Sequence, residues 1–190
     1  LFELPLLSLR GDDCSISGVT ELTANFLREH IEGPATLGVQ ISFIEDWFWA
    51  TRSQIPDLEW TPRTAADCSR RILVLPTGPA DRFDTCALFF VNSINTATDR
   101  VWITSPYFVP DSQIMSALHL AALRGVDVRI MLPAHPDHLL VFLSSFSYLN
   151  QFREGRVRFF RYEEGFLHQK TILVDDRIAG IGTANLDNRS

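Results

Sequence analysis

Lys170 is the only lysine among the 17 lysines and arginines of this 190-residue chain, and it follows His168 by two residues. An ammonium is a compact point charge and a guanidinium a planar fork, so the two groups are not interchangeable at a binding site. On a strand, residues i and i+2 face the same side, which would place the His168 imidazole beside the Lys170 ammonium. An imidazole can act as nucleophile or acid, and an ammonium can neutralise phosphate oxygens. The pair therefore suits phosphoryl chemistry without a metal.

A second group of polar residues follows in the run from Gly180 to Asp187. Glycines allow close backbone approach, and the Thr183 hydroxyl and Asn185 amide can donate hydrogen bonds to phosphate oxygens. Each feature alone is weak, because an isolated strand histidine is more often structural and a single lysine can reflect codon usage. The order His168, Lys170, Asp175, Thr183 and Asn185 favours a phosphate-binding site.

Composition limits the function classes. The chain is 46% hydrophobic and 21% charged, which predicts a globular fold with a substantial core. Its formal net charge of -6 disfavours a broad basic surface for nucleic acid. A local basic cluster remains, which either attracts anionic headgroups or forms a solvated strand edge. Its members are Arg153, Arg156, Arg158 and Arg161.

Neither a metal nor a cofactor is expected. The three cysteines, Cys14, Cys68 and Cys86, are far apart and far from the histidines, which indicates buried thiols in a reducing compartment. His135 and His138 flank Pro136, a pattern more typical of a loop and helix cap than of a metal site. No run of 18 or more apolar residues is present, so no membrane-spanning segment is predicted.

Hydrophobic periodicity predicts an α/β fold: a mostly parallel or mixed sheet flanked by helices, with a hairpin near its end. A helix from Pro34 carries an aromatic cluster at Trp47–Trp49, for which a core or subunit contact is favoured over a membrane interface. Further helices are predicted at 84–97, 111–124 and 137–154, and strands at 71–75, 100–104, 126–132, 156–162, 167–174 and 177–181.

His168, Lys170 and Asp175 reproduce the HxKxxxxD signature of the phospholipase D superfamily, and Gly182–Asn185 resembles the G[ST]xN element that follows it there. Several further segments resemble the C-terminal part of bacterial cardiolipin synthases: Glu32–Ala35, Phe43–Ala50, Ser105–Asp111 and Asn185–Ser190. The resemblance covers about residues 30–190. It implies a phospholipase D-like catalytic half at 31–190, truncated at its end, after a poorly defined segment at 1–30.

The resemblance also implies a mechanism. Two motif copies meet in one site, where one histidine forms a phosphohistidine and the other acts as general acid and base. His168 is expected to be the acid/base residue, Lys170 and Asn185 to hold phosphate oxygens, and Thr183 to support them. Asp175, at the turn, is expected to orient the site or stabilise it. The implied reaction condenses two phosphatidylglycerols to cardiolipin and glycerol.

The chain contains one such motif, so the resemblance implies half an active site, inactive alone unless a missing N-terminal half or a second copy completes it. It further implies a phospholipid partner, no nucleic acid, and a location at the bacterial inner membrane with the active domain on the cytoplasmic side. Two alternatives stay open: a phosphodiesterase or nuclease of the same superfamily, and a noncatalytic remnant.

Overall fold

A computed structural model describes residues 17–20, 27–30, 33–62, 71–78, 81–135, 139–152 and 156–187. The chain forms two compact units, Leu1–Pro76 and Thr77–Ser190. The division falls inside the region expected to form one catalytic half, and the boundary expected near residue 30 stays a prediction.

The first unit contains an antiparallel pair, β1 (Ser17–Thr20) and β2 (Leu27–His30), and a helix, α1 (Ala35–Thr51). The helix ends at Arg52, whose φ of 56° is left-handed. The predicted helix from Pro34 is confirmed. No residue of α1 is buried, so its aromatic cluster does not lie in a core of the described residues, and a subunit contact stays a prediction.

The strand predicted at 71–75 is also wrong, because these residues adopt no regular secondary structure. Leu73 is 75% exposed. Val74 instead packs against α1, where a Cβ on Gly38 would lie 3.0 Å from the Val74 side chain. An apolar run becomes a strand only when a neighbouring strand supplies hydrogen bonds, and here a helix contacts it instead.

The second unit contains three helices and seven strands within the described residues. In chain order these are α2 (Thr85–Thr96), β3 (Arg100–Thr104), β4 (Phe108–Val109), α3 (Ser112–Leu123), β5 (Asp127–Pro133), α4 (Leu139–Gln151), β6 (Arg158–Tyr162), β7 (Thr171–Val174), β8 (Ile178–Ile181) and β9 (Leu186–Asp187). Five strands form a sheet in the order β6-β5-β3-β7-β8, and β4 pairs with β9 in a separate parallel ribbon. The β3–β5 and β5–β6 pairs are parallel, while β3–β7 and β7–β8 are antiparallel. The predicted α/β class with a mixed sheet flanked by helices is confirmed.

Local sequence explains where the helices begin and end. The Asp84 carboxylate accepts from the N–H of Ala87, and the Asp111 carboxylate accepts from two amides in the first turn of α3. Side-chain caps of this kind satisfy amide donors that have no partner inside the helix. Gly125 follows α3 with a φ of 91°, a conformation that favours glycine.

The sheet alternates as the pleat requires. Val101, Ile103, Val128 and Ile130 point into the core shared with the helices, and each is at most 3% exposed. On the opposite face, the guanidinium of Arg129 lies 4.7 Å from the Trp102 ring centroid.

The arginines of the expected basic cluster have different surroundings in the part of the chain that the structure describes. Arg158 pairs with Asp127, and Arg161 packs over Phe142 at 5.0 Å and donates to the Pro133 carbonyl. Burial lowers the pKa of Arg161. Arg156 is exposed, and Arg153 lies outside the described residues.

Candidate functional site

His168 and Lys170 lie immediately before β7, in a segment that is not a strand. The predicted strand at 167–174 is therefore shorter than expected. The Lys170 ammonium donates to the carbonyl oxygen of His168 at 2.6 Å. Both side chains are half-buried, so a charged group is held at the edge of the core with access to solvent.

The glycine-rich loop after β8 lies beside this segment. The Gly182 N–H donates to the Lys170 carbonyl at 3.2 Å and extends the β7–β8 pairing beyond the last strand residue. Thr183 is exposed and Asn185 is half-buried. A Cβ on Gly182 would meet nothing within 4 Å, so the space next to the loop is open. The hairpin thus brings the predicted loop next to the predicted histidine–lysine pair.

Ser105 connects this loop to the end of β3. Its side chain is 1% exposed, and its hydroxyl accepts from the N–H of Leu186 at 3.0 Å and from the N–H of Tyr107 at 3.4 Å. Leu186 directly follows Asn185 and pairs with Phe108 in the β4–β9 ribbon. One buried hydroxyl therefore positions two segments that border the site.

Two aromatic rings contact the His168 imidazole. Phe166 stacks on it with ring centroids 5.6 Å apart and planes 13° apart, and Tyr107 meets it edge-on at 6.0 Å and 84°. Sequence reasoning assigned no role to Phe166, Tyr107 or Ser105. Two signals pointed to Ser105 and Tyr107: they directly follow a buried strand, where site residues often lie, and they belong to the Ser105–Asp111 segment that resembles cardiolipin synthases.

Asp175 lies at the opposite end of β7 from Lys170, about 16 Å away for five residues of extended chain. The residue is 9% exposed, and its carboxylate accepts hydrogen bonds from the backbone of Thr98, Asp99 and Arg100. These bonds, with those from Arg100 and Asp99 contributing most, lower the pKa of Asp175 to about 2 against the opposing effect of burial. Its described contacts are with the loop that leads into β3.

The described ranges contain no group of three His, Cys, Asp or Glu side chains arranged to hold a metal ion. His135 is exposed, while Asp137 and His138 lie outside the described residues. The described residues also contain no helix long and apolar enough to cross a membrane.

The domain is an α/β fold with a mixed sheet. It has a histidine–lysine pair before β7 and a Gly-Thr-x-Asn loop after β8. These features together define a phospholipase D-like domain. The chain belongs to the family "Cardiolipin synthase, PLD-like domain". The model of that family matches residues 90–190, which are just over half of this chain. The expected relationship to the phospholipase D superfamily and to cardiolipin synthases is confirmed.

Among the relatives with similar sequences are two cardiolipin synthases. The chain is 53% identical over 160 residues to "Cardiolipin synthase A" of Pseudomonas fluorescens, covering 84% of this chain and 33% of the relative. The identity and both coverages are the same for "Cardiolipin synthase A" of Pseudomonas entomophila. The chain thus spans about a third of the length of the curated relatives it matches.

Among solved structures, the chain is similar to Nuc, a phospholipase D family member from Salmonella typhimurium. The TM-score is 0.46 at 23% sequence identity, and the match covers 53% of this chain and 64% of that one.

Proposed function

We propose that this chain supplies the acid/base half of a phospholipase D-type phosphatidyltransferase that makes cardiolipin from two phosphatidylglycerols. The convergence of His168, Lys170 and the Gly182–Asn185 loop on one hairpin is the observation that carries the proposal. The names of the relatives support the choice of lipid substrate, because both are cardiolipin synthases.

In the proposed reaction, a histidine from outside this chain attacks the phosphorus of one phosphatidylglycerol. The bond to the glycerol headgroup breaks, and His168 gives its proton to the departing glycerol oxygen. The neutral imidazole then takes the proton from a hydroxyl of the second phosphatidylglycerol. That oxygen attacks the phosphohistidine and frees the first histidine. Two phosphatidylglycerols become one cardiolipin and one glycerol, and His168 ends in its starting protonation state.

The polar groups around His168 have distinct roles in this scheme. Lys170 neutralises charge on the phosphate oxygens, which increases as the phosphorus becomes five-coordinate. The Asn185 amide donates to the same oxygens, and the exposed Thr183 hydroxyl supports it. Asp175 acts through structure, because its hydrogen bonds fix the turn that follows β7.

The chain contains one histidine–lysine motif, so the attacking histidine comes from a second motif in a longer polypeptide or from a second copy of this chain. The 190-residue chain alone is expected to form no cardiolipin. If it does, and the rate rises with the square of its concentration, a second copy supplies the histidine. The proposed site of action is the surface of the membrane that contains the phosphatidylglycerol.

The proposal is tested with the complete gene product and vesicles of phosphatidylglycerol, measuring cardiolipin by mass spectrometry and glycerol enzymatically. Equal molar amounts of the two products are expected. Replacing His168 by Ala removes the acid/base group and should reduce kcat by about 10²- to 10⁴-fold. Replacing Lys170 by Ala should reduce it by about 10²- to 10³-fold, because a charged donor to the developing phosphate charge is lost.

The control is His135→Ala, since His135 is an exposed histidine that the proposal leaves out of the reaction. It should keep wild-type activity. Release of phosphatidic acid in place of cardiolipin would overturn the transferase proposal in favour of a hydrolase. Full activity of His168→Ala would favour the noncatalytic alternative.

A further inference from the structure

We infer that Phe166 and Tyr107 are positioning residues that fix the orientation of the His168 imidazole. The inference rests on the proposed acid/base role of His168. Neither aromatic residue is part of the histidine–lysine motif.

The two rings contact the imidazole in the geometries that aromatic pairs prefer. The Phe166 ring is nearly parallel to His168, at 13° and 5.6 Å, as in offset stacking. The Tyr107 ring is nearly perpendicular, at 84° and 6.0 Å, as in edge-to-face packing. One imidazole therefore has an aromatic contact of each kind.

The position of Phe166 is not explained by burial, because its side chain remains 45% exposed while it stacks on His168. The preceding residue, Gly165, has a φ of 97°, a backbone conformation that disfavours residues with a side chain. The Gly165 N–H donates to the Glu163 carbonyl at 3.0 Å. A tight turn therefore leads directly into the stacked residue.

Tyr107 is held by its surroundings. Its backbone N–H donates to the buried Ser105 hydroxyl at 3.4 Å, and the next residue, Phe108, is fully buried in the core. Tyr107 therefore extends from a fixed backbone. Because Phe166 lies on a tight turn and Tyr107 on a fixed segment, the two rings together restrict rotation of the imidazole.

This restriction matters for proton transfer. A general acid must bring its nitrogen within hydrogen-bonding distance of the leaving oxygen, and an imidazole free to rotate spends part of its time elsewhere. Aromatic contacts restrict the ring through its face and its edge. Loss of one ring should therefore lower the rate of the chemical step, and it should have a smaller effect on the affinity for substrate.

The test is Phe166→Leu in the complete gene product, assayed with phosphatidylglycerol vesicles. The substitution removes the stacking free energy of one aromatic pair. If that free energy orients the imidazole, kcat should decrease by up to about tenfold, with KM unchanged within about twofold. Phe166→Tyr keeps the ring and should restore kcat. The matched control is Phe146→Leu, because Phe146 is 44% exposed but contacts Phe142 instead of His168. It should behave as wild type.

A second measurement uses the 190-residue chain and does not depend on activity. A stacked phenyl ring shields the protons of its neighbour, so the His168 ring protons should move downfield in the NMR spectrum of Phe166→Leu and return in Phe166→Tyr. An unchanged His168 signal would overturn the inference that Phe166 positions the imidazole. A rise in KM with constant kcat would also overturn it, because Phe166 would then be a substrate contact. If His168→Ala were fully active while the NMR shift occurred, the proposed function would fail, but the positioning of the imidazole by Phe166 would stand.

Discussion

Replacing Asp175 by Asn should destabilise the second unit with little direct effect on chemistry. The Asp175 carboxylate accepts hydrogen bonds from four donor groups: the N–H and hydroxyl of Thr98, each at 3.1 Å, and the N–H groups of Asp99 and Arg100, each at 2.9 Å. Its φ of 51° is tolerated by asparagine, so the substitution changes charge and hydrogen bonding without new backbone strain. The amide NH₂ would face the Thr98 N–H, leaving two donors opposed.

The magnitude follows from the pKa. Lowering the pKa from 3.8 to about 2 makes the ionised carboxylate worth roughly 2.5 kcal/mol of folding free energy at neutral pH. With the opposed donors included, Asp175→Asn should cost about 2 to 4 kcal/mol. Because the folded pKa is depressed, this stabilisation is fully present above about pH 4 and is lost as the pH falls through about 2. Roughly half of the ionisation contribution should remain at pH 3.

The assay is urea unfolding of the chain at pH 7, 5 and 3, followed by circular dichroism, with amide hydrogen exchange at Asp99 and Arg100 as the local readout. The control is Asp176→Asn, whose side chain is 89% exposed and pairs only at the surface with Arg100. It should cost no more than about 1 kcal/mol. Equal unfolding midpoints for Asp175→Asn and wild type at pH 7 would refute the reasoning. Wild-type stability with a hundredfold lower kcat in the complete gene product would instead make Asp175 a catalytic residue.

Two further substitutions test the packing around the site. Gly180→Ala would place a Cβ 2.7 Å from the Ile172 side chain on the neighbouring strand, so urea unfolding should show a loss of about 1 to 3 kcal/mol, while Gly78→Ala, which meets nothing, should be near neutral. Ser105→Ala removes the buried acceptor of the Leu186 N–H and should cost about 1 to 3 kcal/mol by the same measurement, with faster exchange of that amide. An unchanged Leu186 exchange rate would contradict the connecting role of Ser105.

Much of the second unit could be predicted from its sequence. The strand at 100–104 has the bounds that its apolar run predicts, and α3 begins after Asp111 and ends before Gly125, as the capping pattern indicates. These signals are local: an N-cap carboxylate or a glycine acts within one turn.

The secondary-structure predictions fail where contact with another element determines whether a segment forms a strand. Residues 71–75 are apolar enough for a strand, but Val74 contacts α1. The two-residue strands β4 and β9 are too short to carry a periodic signal and exist because their segments meet. The late start of β7 has the same cause, since its partner β8 ends at Ile181 and the Gly182 N–H continues the pairing to the Lys170 carbonyl.

The sequence by itself determined which groups are available for chemistry: one lysine two residues after a histidine, followed by Gly182, Thr183 and Asn185. Their types and order identify the family because phosphate chemistry needs those functional groups. Only the tertiary structure decided how they meet. Ser105 and Tyr107 reach the site from positions distant in sequence, and Phe166 contacts His168 from a segment that is not a strand. Such contacts depend on the packing of the whole sheet, not on local periodicity.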